Sequence, residues 1–166
     1  RAPHDQPFCK VALKGYWAIV FGWSPGPFTN RSAGVAIVMG RRFRPKNAIK
    51  VEVPPTSIRG RAGAVRLKGP SYDLTLVVGY PPPQAGGQTS VKGAELTVDW
   101  MRKVANSAVH RSTPIVAGDF NTRLGIDEEG VPWEFGVGQH HCGAPGPAGK
   151  AVWNWLEEQQ MSVVNT

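Results

Sequence analysis

Short apolar runs rich in β-branched residues, punctuated by glycine and proline, constrain this chain more than any other feature. They occupy residues 16–21, 34–39, 49–53, 62–67, 74–80, 115–117 and 161–164. Runs of this length and composition predict seven strands. Between them lie Gly22-Trp-Ser-Pro-Gly-Pro27, Pro54-Pro55, Gly69-Pro-Ser71 and Pro81-Pro-Pro83. Proline cannot donate to a ladder and glycine supplies positive φ, so these are turns or rigid extended links. The first part of the chain therefore reads as an antiparallel meander.

The period then changes. Between residues 90 and 109, Ala94, Val98, Met101, Ala105 and Ala108 recur at three- and four-residue spacing, with Lys92, Glu95, Asp99, Arg102 and Lys103 mostly elsewhere. This predicts an amphipathic helix. A second helix is expected over 148–160, leading into a last strand over 162–165. Strand, helix, strand, helix, strand implies a sheet covered by helices, in an α/β or α+β layered sandwich. A chain of 166 residues is ordinarily one domain with a sizeable core. Residues 125–138 and 143–149 read as loops, and loops over a rigid sheet commonly carry function.

Charge is unevenly distributed. Residues 1–68 hold 13 Lys and Arg against Asp5 and Glu52, a balance of +11, and residues 69–166 hold six against ten acids, a balance of −4. The clusters Arg41-Arg42-Phe-Arg44-Pro-Lys46 and Arg59-Gly-Arg61 suit phosphates, whether of nucleic acid or of another anion. Cys9 and Cys142 have no CxxC spacing and point to no disulfide framework or zinc ribbon. The adjacent His140, His141 and Cys142 cannot easily all face one zinc ion. Trp23, Trp133, Trp153 and Trp155 are either packing residues or stacking platforms for bases. The first residue is arginine, no leader pattern follows it, and no run approaches the ~18 apolar residues of a membrane span. A soluble piece of a longer protein, with no membrane partner, is the expectation.

Two of the expected strands end in polar residues. One finishes in Tyr80 before three prolines; the other, Pro114-Ile-Val-Ala-Gly-Asp-Phe-Asn121, reads as a buried strand finishing in a carboxylate and an amide. If Asp119 and Asn121 stay extended, the strand period of two points both side chains the same way. An Asp placed so can deprotonate a water or bind a hard cation, and an Asn can hold the same water or metal. A tyrosine hydroxyl can hydrogen-bond charge developing on a phosphoryl oxygen. The plainer alternatives are a turn-forming or capping Asp and a core tyrosine.

Gly118-Asp119-Phe120-Asn121, after an apolar strand and an amphipathic helix, resembles the GDFN signature of the endonuclease/exonuclease/phosphatase superfamily, the DNase I-like metal-dependent phosphodiesterases. Other stretches resemble its landmarks in order: Ser32-Ala-Gly-Val-Ala-Ile37, Gly60-Arg61, Val78-Gly-Tyr80-Pro-Pro, and the late Gly138-Gln-His140-His-Cys-Gly143 with Val163-Val-Asn165-Thr166. The last of these is most similar to the endonuclease domain of non-LTR retrotransposons.

The resemblance implies that residues 1–166 are a partial domain of that superfamily, an incomplete DNase I-like β-sandwich flanked by helices. It implies a DNA-cutting enzyme that uses Mg²⁺ or Mn²⁺, with Asp119 activating water, Asn121 orienting the phosphate or completing a metal site with Asp119, Tyr80 supporting the transition state and Arg61 reaching substrate. It also implies that the family's opening Asn, its Gln-Glu metal ligand and its closing Asp and Ser-Asp-His lie outside Arg1 to Thr166. The isolated chain is therefore expected to hold the metal weakly and cut poorly. A retroelement origin would imply a nuclear protein. A non-catalytic binding module and a phosphatase for small substrates are the other readings of the same scaffold.

Overall fold

A computed structural model describes residues 6–22, 34–83, 88–124 and 146–163. The chain divides into two units, Arg1–Tyr80 with Trp100–Asp119 and Pro81–Asp99 with Phe120–Thr166.

The first unit contains two sheets. β1 (Phe8–Leu13), β2 (Tyr16–Phe21) and β3 (Val35–Gly40) form an antiparallel meander in that order. β1 was not legible in the sequence, because Phe8-Cys-Lys-Val-Ala-Leu13 has a single β-branched residue and no strict alternation. It becomes a strand by pairing: Leu13 sits opposite Tyr16 across the two-residue turn Lys14-Gly15, and Gly15 takes the positive φ of 81° that such a tight hairpin asks for.

The second sheet has the order β4 (Ala48–Glu52), β5 (Ala62–Lys68), β6 (Asp73–Gly79), β7 (Thr113–Gly118). Its first three strands are antiparallel neighbours, whereas β6 and β7 run parallel. A parallel pair needs a long crossover, which is supplied by α1 (Gln88–Asn106). β7 departs from the sequence reading: among the described residues it is the edge of the sheet and exposed, with Ile115 45% exposed, and not a buried strand. Pro114 fits that position, since an edge strand tolerates a residue that cannot donate to a ladder.

β3 packs against β5 and β6, so the two sheets form a sandwich. Trp17, Ile19, Phe21, Ile37 and Met39 from one sheet meet Val65 and Leu67 from the other. A fully buried side chain of this kind contributes about 1.5–3 kcal/mol. Phe21 approaches closely because its neighbour is glycine: a Cβ on Gly63 would lie 2.2 Å from the Phe21 ring.

In the second unit the first turns of α1 bury Ala94, Thr97 and Val98, and the Thr97 hydroxyl donates to the Gly93 carbonyl at 2.7 Å. α2 (Pro147–Glu158) starts with proline at its first position, where the missing N–H costs nothing, and buries Val152, Trp155 and Leu156. It ends in a Schellman arrangement. Gln160 has φ 50° and donates to the Glu157 carbonyl at 3.2 Å, while Met161 donates to the Leu156 carbonyl at 2.9 Å. The strand expected from Met161 onward is absent over 161–163: Met161 uses its N–H to stop the helix, and these residues join no ladder. The remainder of that expected strand, residues 164–165, lies outside the described residues. The described residues form a mixed α/β fold of two sheets and two helices, compatible with an α+β sandwich.

Candidate functional site

Tyr80 and Asp119 follow the last residues of adjacent parallel strands, Gly79 and Gly118, which face each other in register. The paired glycines allow this approach. A Cβ on Gly79 would lie 2.2 Å from the Met101 sulfur of α1, and one on Gly118 would lie 2.0 Å from the Gly79 carbonyl oxygen. A larger residue at Gly118 would push strand from strand, and one at Gly79 would have to displace the Met101 side chain. Carboxyl ends of parallel strands are where open α/β sheets commonly bind ligands.

An open hollow of about 360 Å³ occupies this position, lined by Gly34, Val35 and Ala36 at the start of β3 and by Val78 to Tyr80 and Ala117 to Asp119. Tyr80 and Asp119, both expected in the site, thus border one space. Asp119 is exposed and Tyr80 half-buried. The Tyr80 backbone N–H donates to the Arg61 carbonyl at 2.7 Å. The Arg61 guanidinium lies 5.4 Å from the centre of the Tyr80 ring, within cation–π range. Burial lowers the Arg61 pKa, with the nearby Tyr80 phenol acting in the opposite direction. Arg61 therefore buttresses the tyrosine. Two residues before Arg61, the Arg59 Nε is buried without a hydrogen-bond partner among the described residues, which ordinarily costs about 1–3 kcal/mol.

Asn121 belongs to the second unit, and there its amide donates to the Pro81 carbonyl at 2.8 Å. Its φ is 49° and β7 ends at Gly118. The extended spacing on which the period-two argument depended therefore does not hold at Asn121, because the chain has left the strand and turned. Asn is one of the few residues that tolerates this conformation.

The stretch Ser32 to Ile37 stood out in the sequence as a landmark of the resemblance, but its Gly34, Val35 and Ala36 were not among the expected site residues; they form one wall of the hollow. Trp155 is 2% exposed and packs rather than offering a stacking face. Trp23, Trp133, His140, His141 and Cys142 lie outside the described residues.

Among the described residues no group of three or more His, Cys, Asp or Glu could hold a metal. The hollow supplies one carboxylate, Asp119. Mg²⁺ takes near-octahedral oxygen ligands, so these residues by themselves do not make a resident Mg²⁺ site. No described helix is long and apolar enough to cross a membrane. Comparison with protein-family models finds no match, and neither does comparison with curated proteins.

Proposed function

We propose that these residues are the central part of a phosphodiesterase domain that hydrolyses nucleic-acid phosphodiester bonds, DNA above all, by attack of water at phosphorus. The observation that carries this is the meeting of Tyr80 and Asp119 at one hollow beyond adjacent parallel strands. In this reading the exposed Asp119 carboxylate orients the attacking water and takes its proton. The Tyr80 hydroxyl donates to a phosphoryl oxygen as charge builds there. Arg61 holds the Tyr80 ring and adds positive charge beside it.

Mg²⁺ or Mn²⁺, which the resemblance to DNase I-like enzymes implies, would supply charge neutralisation at the phosphate. Asp119 by itself is too small a donor set for Mg²⁺, so further oxygen donors are required. The isolated 166-residue chain is accordingly expected to bind Mg²⁺ weakly and to nick DNA negligibly.

The test is nicking of supercoiled plasmid by the chain within its full reading frame, with Mg²⁺ or Mn²⁺ added. Asp119→Ala is expected to lower the rate on the order of 10²–10⁴-fold, and Tyr80→Phe about 10²-fold. Parental nicking by Asp119→Ala would refute the assignment. Release of inorganic phosphate from small phosphomonoesters without nicking would move the substrate to that class.

A further inference from the structure

The turn after β3 carries Arg41, Arg42, Arg44 and Lys46, all exposed. It is clamped from within. Phe43 donates its N–H to the Gly40 carbonyl at 3.0 Å, its own carbonyl accepts the Trp17 indole N–H, and its ring meets Tyr72 edge-on at 5.2 Å. Asn47 closes the 3-10 turn Pro45–Asn47: its Oδ1 accepts from the Arg44 N–H at 3.0 Å and its amide donates to the Lys68 carbonyl at 2.8 Å.

Two more exposed cations join this cluster. The Asn47 bond brings Lys68 alongside, and the Arg41 guanidinium lies over Gly15, next to Lys14, close enough that a Cβ on Gly15 would be 3.3 Å from it. No described carboxylate forms an ion pair with any of these six. Asp73, opposite Lys68 in register, is held by Arg66 at 2.8 and 2.6 Å and by Arg111 at 3.5 Å.

This cluster is not at the hollow. Val35 lines the hollow and Gly40 precedes the turn, so the six residues of β3 separate the two by about 17 Å.

We propose that this cationic turn is a second nucleic-acid contact, gripping the phosphodiester backbone at the end of the first unit opposite the hollow. Three of its cations are guanidiniums, whose planar forks match phosphate oxygens. The clamped backbone means that little ordering is needed on binding. A nucleic acid offers a continuous row of charges, about one per 1.7 Å of duplex, to match so wide a cluster. A lipid surface would ask for apolar side chains projecting with the cations, and the apolar member of this turn, Phe43, faces Tyr72 instead. Exposed Leu13 and Tyr16 flank Lys14, which makes anionic vesicles the rival arm of the test.

The experiment is fluorescence anisotropy of the purified chain with a labelled duplex of roughly 20 bp, long enough to cover the cluster. It is run in EDTA over a salt series, so that hydrolysis and metal play no part and the result is separate from the phosphodiesterase assay. In the variant Arg41→Gln/Arg42→Gln/Arg44→Gln/Lys46→Gln the salt slope is expected to fall by about 0.9 per phosphate contact removed, with affinity down about tenfold or more. Arg42→Gln alone should remove about one such step and keeps the test informative if the quadruple variant misfolds. Lys92→Gln/Lys150→Gln should bind as the parent does. An unchanged slope in both turn variants, or parental binding to phosphatidylserine vesicles without binding to the duplex, overturns the proposal.

Discussion

Replacing Gly118 by alanine tests whether the paired glycines at the strand ends are what create the hollow. The added Cβ would sit 2.0 Å from the Gly79 carbonyl oxygen, 2.9 Å from its carbon and 3.1 Å from its nitrogen. All three are backbone atoms of a hydrogen-bonded strand, so no rotamer change relieves the clash. Contacts of this kind need about 3 Å or more, and overpacking a fixed environment costs about 1–3 kcal/mol. The Gly118 φ of +158° adds a smaller penalty for an L side chain.

A loss of about 3 kcal/mol corresponds to a melting temperature lower by about 6–12 °C for a chain of this size. Two further variants calibrate the number. Gly79→Ala meets the Met101 thioether, whose flexible end can swing aside, and should cost about 1–2 kcal/mol. Gly40→Ala meets nothing within 4 Å and should be neutral or slightly stabilising. Thermal unfolding followed by circular dichroism reads the series. A Gly118→Ala variant that melts with the parent, or a Gly40→Ala variant equally damaged, would refute the reasoning.

Two other outcomes follow from the same structure. Asp73, accepting hydrogen bonds from Arg66 and then Ser112 with Arg111 nearby, has its pKa pulled from 3.8 down to about 2. Its stabilising contribution is therefore complete above the ordinary carboxylate range and lost as pH falls from about 3.8 to about 2. The stability difference between parent and Asp73→Asn, followed by urea unfolding, should shrink across that interval; a difference constant from pH 5 to pH 2 contradicts the assignment. At the end of α2, Gln160 occupies the left-handed position that glycine takes without strain, so Gln160→Gly should raise stability by about 1 kcal/mol, and a loss on chemical denaturation would count against the Schellman end.

Local patterns made much of the fold readable before any coordinates. The runs at 16–21 and 62–67 became β2 and β5 almost residue for residue, and Ala94, Val98, Met101 and Ala105 are the buried stripe of α1. α1 buries one face, which imposes a period that a sequence displays, whereas β2 and β5 are buried over most of their length and show as short continuous apolar runs. Where pairing rather than burial makes the element, as in β1, no such period exists. Where a terminal apolar run follows a helix, as at Met161, the stop signal outranks the strand composition.

For the candidate site, the sequence alone determined which groups were available: a carboxylate, an amide, a phenol and a guanidinium beside glycines. It also determined that Tyr80 and Asp119 each terminate a strand. Only the tertiary structure decided that those two strands are parallel neighbours in register, that β7 is an exposed edge, that Arg61 lies against the Tyr80 ring, and that the cluster at Arg41 to Lys46 sits at the opposite end of the unit. Strand order and register arise from contacts between residues distant along the chain, and those contacts leave no trace in local spacing.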